Sequence, residues 1–425
     1  MPVALRTGTL LDGSGNAPIQ NAVVLIDGER ITGVLRQHET PPPNYTLIDA
    51  SRFTVTPGLI DVHVHILGSG DPHEDAFFTA GASTTLPDFT LECYKNALSS
   101  LHAGWTTLRD CACRDYADIA VRNAINAGKL VGPRLWTCGL GITSTAGHMD
   151  FEKFLAPHVT SGSPTALADD PTEGRKAVRQ NLRYDVDFIK INATLTEHVR
   201  RYGMRCSPEM TRETMQAIID EAHMHHRKVT AHCYGGEGAT WAIEAGVDGI
   251  EHGFFLTDEQ LDMMAERGTV LCPTLSVTGR FRELGPEAMD KPHFAAWRDK
   301  AIDAAWDTTA RARAHGVQII CGSDASMPGV RHGGNGYELQ MLVEAGLSAM
   351  DALVSATSGA AKALDIPDVG VIAPGHYADL VVVDGDPSLD ITVLQDLQRV
   401  PLVIKGGEIV ADRRTAVPHS VVAAD

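Results

Sequence analysis

The sequence predicts an α/β fold: a (β/α)8 TIM-like barrel with a small β-sandwich domain built from both termini. Three observations support this prediction. Short apolar segments alternate with segments of helical spacing through the middle of the chain, which is typical of a parallel barrel. Both ends of the chain are instead rich in short strands. Several predicted central strands end on a histidine or an aspartate, at the rim where such barrels place their functional groups.

The terminal strands are predicted from short apolar segments separated by turn residues. Near the N-terminus these strands are residues 3–7, 22–26, 30–34 and 47–49. The same pattern returns at residues 379–384, 401–404 and 407–410. We therefore expect residues 1–55 and 366–425 to form one composite β domain, and residues 56–365 to form the barrel.

The eight barrel strands are predicted from apolar segments that are followed by turns or helical spacing. They are residues 59–65, 106–111, 134–138, 188–192, 229–234, 249–252, 270–274 and 318–324. Residues 208–226 and 257–266 show the apolar spacing of connecting helices. Since parallel strands need such crossover helices, the pattern agrees with a barrel.

The chain carries a strong negative charge, with 36 lysine and arginine residues against 54 aspartate and glutamate residues, a net charge of −18. This charge repels phosphate backbones and anionic lipids, so we expect no nucleic-acid or membrane partner. No apolar run reaches the roughly 20 residues of a membrane-spanning helix. With no export signal visible, we expect a cytoplasmic location, while export after removal of a signal remains an alternative.

The eight cysteines follow no repeating framework and are expected to be reduced thiols. Cys111 and Cys113 form the one tight pair, and the prediction places both inside a strand, where they would share a face. A metal or redox site at this pair is disfavoured, because no second such pair accompanies it.

His63 and His65 close the first predicted strand, so both imidazoles face the same side and can reach one ion. Lys190 interrupts the apolar segment of the fourth strand, where a buried ammonium is costly unless it is paired or neutralised. One explanation is a nearby carboxylate. The other is carboxylation of the amine by carbon dioxide, which converts the cation into an oxygen ligand.

Three further strands end on residues of the same kind: His232 on the fifth, His252 on the sixth and Asp324 on the eighth. Each of these residues alone is compatible with an ordinary buried residue whose polar atoms are hydrogen-bonded. Together with His63, His65 and Lys190 they place six ligand-type side chains at strand ends, which indicates a metal site.

With these residues in place, the sequence resembles the amidohydrolase superfamily of metal-dependent hydrolases, in its binuclear branch with a carboxylated lysine. The resemblance covers nearly the whole chain, including the segment 370–384 that returns to the β-rich end. Within the superfamily it is most similar to the prolidase-like and ochratoxin-hydrolysing branch. The stretches that carry this similarity are 104–110, 145–148, 190–194 and 232–235.

The resemblance implies two divalent ions, with zinc as the expected metal. His63, His65 and Asp324 would hold one ion, His232 and His252 the other, and N6-carboxylysine at Lys190 would bridge them. Asp324 is then the candidate general base. Related enzymes are often homo-oligomers, so the resemblance also implies a homo-oligomer.

Three residues near the strand ends are candidates for substrate contact. Tyr234 lies two residues beyond His232, where its phenol can donate to a developing oxyanion, or it only packs at the rim. His148 lies in a glycine-containing loop and is predicted to bind a substrate carboxylate or carbonyl, or is an ordinary loop residue. Ser69 follows the first strand and is a candidate for lining the substrate entrance.

The preferred function is hydrolysis of the amide bond of N-acyl-L-amino acids or dipeptides with a free carboxylate. Ochratoxin A, cleaved to ochratoxin α and L-phenylalanine, fits this description and implies a detoxifying role. The alternatives are a cyclic-amide hydrolase related to imidazolonepropionase, a prolidase-type dipeptidase that does not use the toxin, and an inactive scaffold. A serine hydrolase is disfavoured because no GxSxG motif is present.

Overall fold

The computed structural model describes residues 2–36, 39–71, 84–156, 158, 162–195, 206–284 and 292–414. The strands are β1 Val3–Leu10, β2 Ile19–Gln20, β3 Val23–Asp27, β4 Arg30–Leu35, β5 Thr46–Pro57, β6 Leu59–Val64, β7 Trp105–Asp110, β8 Arg134–Thr137, β9 Gly141–Thr143, β10 Thr165–Leu167, β11 Ile189–Asn192, β12 Val229–Gly235, β13 Gly249–Phe255, β14 Val270–Cys272, β15 Leu380–Val383, β16 Leu402–Lys405 and β17 Glu408–Asp412. The helices are α1 Leu86–His102, α2 Ala117–Asn126, α3 Pro171–Leu182, α4 Arg212–Met224, α5 Gly236–Glu244, α6 Asp258–Arg267, α7 Leu275–Leu284, α8 Pro292–Ala314, α9 Gly336–Glu344, α10 Ala349–Ser355 and α11 Ser358–Ala363.

An eight-stranded sheet combines strands from both parts of the chain that were predicted to be β-rich. Its order is β17-β16-β15-β5-β1-β3-β4, with β2 paired to β1. β1 and β5 are parallel, whereas β15 runs antiparallel to β5. The sheet has its own apolar cluster, which includes Leu5, Leu10, Val24, Ile26, Val55, Leu380, Val382 and Leu402. Strands far apart in sequence therefore share one hydrophobic core.

The middle of the chain forms two parallel sheets, as expected of alternating strands and helices. β6, β7 and β8 form one sheet, and the other has the order β10-β9-β11-β12-β13-β14. Residues 318–325 lie between β14 and β6, because parallel bridges join Leu271 to Ile319 and Val64 to Ala325. The α/β class predicted from the sequence is thus confirmed.

Two details of the central strands differ from the prediction. The segment 318–324 makes an isolated bridge and no continuous strand, and positive φ angles at Asp324 (56°) and Ser326 (113°) end the extended backbone there. β9 and β10 were not predicted, since three residues are too few to show a period of two.

Helix boundaries follow local capping. The Asp170 side chain accepts hydrogen bonds from Thr172 N at 2.7 Å and Glu173 N at 2.9 Å, so α3 begins at the next residue, a proline. Thr257 and Gln260 form a capping box at the start of α6. α4 and α6 lie within or close to the helical segments predicted at 208–226 and 257–266.

Among the described residues, no helix has the length and apolar character to cross a membrane.

The cysteine pair is not in a strand, contrary to the prediction. β7 ends at Asp110, and Ala112 has a φ of 151°, so Cys111 and Cys113 do not share a strand face. The Cys113 Sγ instead lies 3.9 Å from that of Cys93. All eight cysteines are buried and unbridged, and burial raises the pKa of Cys111 to about 12. A neutral thiol is a poor metal ligand or nucleophile.

Candidate metal centre

One group of predicted ligands surrounds Asp324. The Asp324 Oδ1 lies 3.6 Å from His63 Nε2 and 3.5 Å from His65 Nε2. Lys190, on β11, places its Nζ 3.4 Å from the same His63 nitrogen. All four side chains are buried. The ends of β6 and β11 therefore bring their ligand-type atoms to the 318–325 segment.

The remaining two predicted ligands adjoin this group. The rings of His232, on β12, and His252, on β13, are 4.6 Å apart between centroids. The His252 ring is 5.3 Å from the His63 ring. The structure thus brings all six predicted side chains into one cluster at the carboxyl ends of parallel strands, where α/β proteins place their sites.

Three imidazoles are oriented by hydrogen bonds at Nδ1, which leaves Nε2 for the cluster. The Nδ1 partners are Glu251 Oε2 for His63 at 2.7 Å, Ala112 O for His65 at 3.3 Å and Thr274 Oγ1 for His252 at 2.7 Å. Burial lowers the pKa of His65, His232 and His252 well below the usual range. These rings are therefore neutral, the form that binds metals.

Glu251 is a buried carboxylate that sequence analysis did not single out. It accepts hydrogen bonds from His63, from Arg109 NH2 at 2.5 Å and from the hydroxyl of Thr230. Burial opposes its ionisation, but the charges of Arg109 and His63 hold the pKa of Glu251 well below its usual range. The sequence did contain one indication of Glu251: this charged residue stands directly before His252 in an otherwise apolar strand segment.

Asp61 is a second buried carboxylate that the sequence did not reveal as important. It accepts hydrogen bonds from Ser323 N at 3.0 Å, from the Ser323 hydroxyl at 2.5 Å and from Asn335 Nδ2 at 2.7 Å. A Cβ at Gly322 would lie 2.7 Å from His63 Cβ, so only glycine allows this close approach. Asp61 and Gly322 together place Asp324 against His63.

The donor set fits a metal ion. Ligand atoms of His63, His65 and Asp324 all lie within 4.8 Å of one another. Asp324 Oδ1 is buried and has no hydrogen-bond partner among the described residues, which is costly for a carboxylate oxygen unless a cation binds it. Ligand atoms of a second set, His63, Glu251 and Cys272, also lie within 4.8 Å of one another. Glu251 already forms an ion pair with Arg109, so this set is a poorer candidate for a metal ion. Imidazole and carboxylate together suit zinc and similar divalent ions.

Two of the three predicted substrate-contact residues adjoin the cluster. The His148 ring stacks on the His232 ring at 3.8 Å with an interplanar angle of 11°. The Tyr234 ring is 4.9 Å from the His232 ring and 5.5 Å from the His252 ring. Ser69 lies exposed on the loop after β6, where its hydroxyl accepts a hydrogen bond from Asp71 N.

A parallel α/β fold that brings imidazoles and a buried carboxylate together at its strand ends could hold a metal ion, an arrangement that fits the class of metal-assisted hydrolases. The chain belongs to the amidohydrolase family, which matches residues 54–410. It is therefore a hydrolase that acts on C–N amide bonds, as the resemblance of the sequence implied.

Similar proteins span nearly the whole chain. Ochratoxinase from Aspergillus niger is 30% identical over 424 residues, covering 95% of this chain and 86% of that protein. Its crystal structure superimposes with a TM-score of 0.84 at 27% identity, covering 97% and 96% of the two chains. A Xaa-Pro dipeptidase with bound methionine has a TM-score of 0.84 at 32% identity, covering 96% and 99%. Imidazolonepropionase from Streptomyces avermitilis is 23% identical over 380 residues, covering 86% and 81%.

Proposed function

We propose that this protein is a binuclear metal-dependent amidohydrolase that cleaves N-acyl-L-amino acids or dipeptides, with ochratoxin A as a candidate substrate. The observation that carries the proposal is the buried Asp324 Oδ1, which has no hydrogen-bond partner among the described residues and faces the imidazoles of His63 and His65 beside Lys190. A 30% identity to ochratoxinase supports the choice of substrate. Water adds across the amide, releasing a carboxylate and an amine; ochratoxin A gives ochratoxin α and L-phenylalanine.

Two divalent ions, with zinc expected, would be held by His63, His65 and Asp324 and by His232 and His252. Bound there, the ions would lower the pKa of a water molecule and polarise the scissile carbonyl. Glu251 fixes the tautomer of His63 by accepting from its Nδ1. The protein thus supplies oriented ligands before any substrate arrives.

Lys190 is proposed to carry a carboxylated amine that bridges the two ions. Its side chain is buried, and among the described residues no carboxylate lies within 4.0 Å of its Nζ. The other explanation for a buried lysine, an ion pair between Lys190 and a nearby carboxylate, is therefore not supported by the described part of the chain. Carboxylation removes the buried positive charge, which is otherwise costly next to three histidines.

Asp324 is the proposed general base, and Tyr234 and His148 the proposed substrate contacts. An amide nitrogen leaves poorly unless it is protonated, so Asp324 would take a proton from water and pass it to the leaving amine. Burial raises the pKa of Asp324, which favours such proton uptake. Tyr234 would donate to the developing oxyanion, and His148 would bind the free carboxylate of the substrate. Ser69 is retained as a candidate for the entrance.

At the level of the fold, we propose that β6–β14 and the 318–325 segment close into a (β/α)8 barrel spanning residues 56–365. We further propose that residues 1–55 and 366–425 form a separate β-sandwich domain and that the enzyme is a homo-oligomer. The bridges on both sides of the 318–325 segment support closure. The apolar cluster of the eight-stranded sheet supports a separate domain.

The test is release of free phenylalanine from ochratoxin A by the purified, zinc-loaded protein, measured by mass spectrometry. Methionyl-proline, other dipeptides, N-acyl amino acids and a cyclic amide are assayed in parallel. We expect release that a chelator abolishes and that zinc restores. A control variant, Asp324→Asn, should slow the same release at least about 10²-fold while the protein remains folded.

Each outcome separates the candidate functions. Hydrolysis of dipeptides without the toxin would replace the toxin by a prolidase-type substrate, which the similarity to the Xaa-Pro dipeptidase favours as second candidate. Cleavage of the cyclic amide alone would favour the imidazolonepropionase-like alternative. Activity that survives complete metal removal would overturn the metal-dependent mechanism.

A further inference from the structure

Glu209 is a buried carboxyl group that holds the loop carrying His148. Its Oε2 accepts a hydrogen bond from His148 N at 2.9 Å, and its Oε1 accepts from Ser144 N at 3.1 Å. Its Oε1 also lies in hydrogen-bond contact with the hydroxyl of Thr143, the last residue of β9. Three contacts therefore fasten both ends of the loop to one side chain.

The Thr143 hydroxyl has a second neighbour that determines the direction of these bonds. Thr143 Oγ1 lies 2.8 Å from the backbone oxygen of His148. A carbonyl oxygen can only accept, so this bond uses the single proton of the hydroxyl. A single hydroxyl proton cannot form full hydrogen bonds to both the His148 oxygen and Glu209, so the second contact needs a proton on Glu209. Glu209 is thus left to act as the donor toward Thr143.

We propose that Glu209 is a positioning residue that works as a neutral carboxylic acid, donating its proton to Thr143 and accepting from the His148 amide. Thr143 in turn donates to the His148 oxygen, so this series of hydrogen bonds both begins and ends at the backbone of His148. The bonds fix the backbone of His148 on both sides of its Cα, which sets its ring against His232. The effect on substrate rests on the proposed function of His148.

Packing around Glu209 agrees with a neutral group. A Cβ at Gly147 would lie 2.6 Å from Glu209 Cδ and 2.5 Å from Thr143 Oγ1, so the loop backbone packs directly against the carboxyl group. Burial raises the pKa of Glu209 to about 8. Protonation at neutral pH removes the cost of burying a charge here.

The ionisable groups around Glu209 leave it without a close ion pair in the described part of the chain. Lys153 lowers the pKa of Glu209 less than burial raises it, and its Nζ donates to Gly147 O at 2.5 Å. Asp150 accepts a hydrogen bond from Ala146 N, and Asp169 accepts one from Thr145 N. Both carboxylates therefore bind backbone N–H groups of the loop that carries His148. As pH rises through about 8, loss of the Glu209 proton should leave one Thr143 proton for two acceptors, Glu209 and the His148 oxygen, so one of the two hydrogen bonds is lost.

The backbone links Glu209 to the catalytic strands as well. Glu209 N donates to Ala193 O at 3.0 Å, just beyond β11. The next residue, Thr194, accepts a hydrogen bond from Tyr234 N at 2.9 Å. The proposed oxyanion donor and the His148 loop are therefore anchored to the same turn of chain.

Two matched pairs of variants test the proposal. Glu209→Gln keeps a donor toward Thr143 and an acceptor for His148 and loses only the acceptor for Ser144 N, whereas Glu209→Ala removes all three. Thr143→Ser keeps the hydroxyl, whereas Thr143→Val removes it. We expect Glu209→Ala and Thr143→Val to raise KM about tenfold, the equivalent of one lost hydrogen bond, with a smaller effect on kcat. The Gln and Ser variants should restore most of the loss.

A spectroscopic measurement follows the proton without any substrate. The infrared difference spectrum of wild type minus Glu209→Gln should contain the carbonyl band of a protonated carboxyl group at neutral pH. The band should disappear as pH rises through about 8. The histidine NMR signal of His148 should move over the same pH range in wild type and stay constant in Glu209→Gln.

A carboxylate band for Glu209 at neutral pH would overturn the proposal, as would a Glu209→Gln variant as impaired as Glu209→Ala. A His148 signal that Thr143→Val leaves unchanged would also overturn it. If the protein hydrolysed no amide, the infrared and NMR signals would still report on Glu209. Failure of the proposed function is therefore distinguishable from failure of this inference.

Discussion

Glu251 accepts a hydrogen bond from His63 Nδ1 at 2.7 Å while Arg109 pairs with its other oxygen at 2.5 Å. Two strands and a buried ion pair thus determine which nitrogen of His63 faces Asp324. Breaking a buried pair by changing one partner leaves a charge without compensation. The orientation of a proposed metal ligand therefore depends on Glu251, which is not among the ligands proposed for the ions.

Replacing Glu251 with Gln should weaken metal binding. A Gln amide can still accept from one partner, but its NH2 group would face either His63 or the Arg109 guanidinium, both of them donors. We expect zinc affinity to fall about 10–100-fold, as for other residues that orient metal ligands. Competition with a chromophoric chelator measures this, with Glu266→Gln on the exposed face of α6 as control. Equal affinities in the two variants would refute the orienting role.

Lys190→Ala should lower both metal content and activity. The variant removes the proposed bridging ligand, so we expect less than the wild-type amount of bound metal and turnover at least about 10²-fold slower. Metal analysis of the purified protein and the phenylalanine-release assay measure the two effects. Retention of full activity with intact metal content would show that Lys190 does not bridge.

Asp324→Asn should slow turnover by about 10²–10⁴-fold, the usual contribution of a general base. The amide occupies nearly the same volume, so the fold is expected to survive. Circular dichroism checks the fold, and Asp220→Asn on the exposed side of α4 serves as control. Normal turnover in a folded Asp324→Asn protein would exclude the general-base role.

Tyr234→Phe should mainly affect kcat. The ring remains to pack between the histidines and Phe254, while the hydroxyl that would stabilise the oxyanion is lost. Loss of one oxyanion donor costs about 10²–10³-fold in kcat. Steady-state kinetics with the identified substrate provides the measurement. If KM rises while kcat stays constant, Tyr234 binds the substrate and does not act on the transition state.

Stability should decrease between about pH 7 and about pH 8, and Glu338 is one cause. This fully buried carboxyl accepts hydrogen bonds from Leu275 N and Ser276 N, and burial raises its pKa to about 8. The unfolded chain releases this proton near pH 4.3, at about the usual pKa of Glu. Between the two values the folded state binds the extra proton, so the free energy of unfolding falls as pH rises.

Buried histidines oppose this trend only below their unfolded pKa of about 6.5, so the decrease should be clear above that pH. Urea unfolding at several pH values measures the slope. Glu338→Gln should reduce the slope without removing it, because Glu209 contributes in the same direction. A slope identical to that of wild type would mean that Glu338 is ionised in the folded protein.

The family was predicted from the resemblance of the sequence. The α/β class and the residues that meet at the cluster were predicted because strand ends can be located from apolar patterns. His63 and His65 show a period of two, and Lys190 stands out among apolar neighbours. Glu251 and Glu209 were missed because their partners come from other parts of the chain. Arg109 and Thr230 reach Glu251 from β7 and β12, and no local pattern records such contacts.

The eight-stranded sheet has a consequence for protein synthesis. β5 pairs with β1 on one edge and with β15 on the other. The parallel region, which comprises the two parallel sheets of β6–β14, lies between β5 and β15 in the chain and is translated between them. Until Leu380 has left the ribosome, one edge of β5 stays open to other strands, including those of neighbouring nascent chains. A ribosome that stalls within the parallel region therefore releases a chain prone to aggregate.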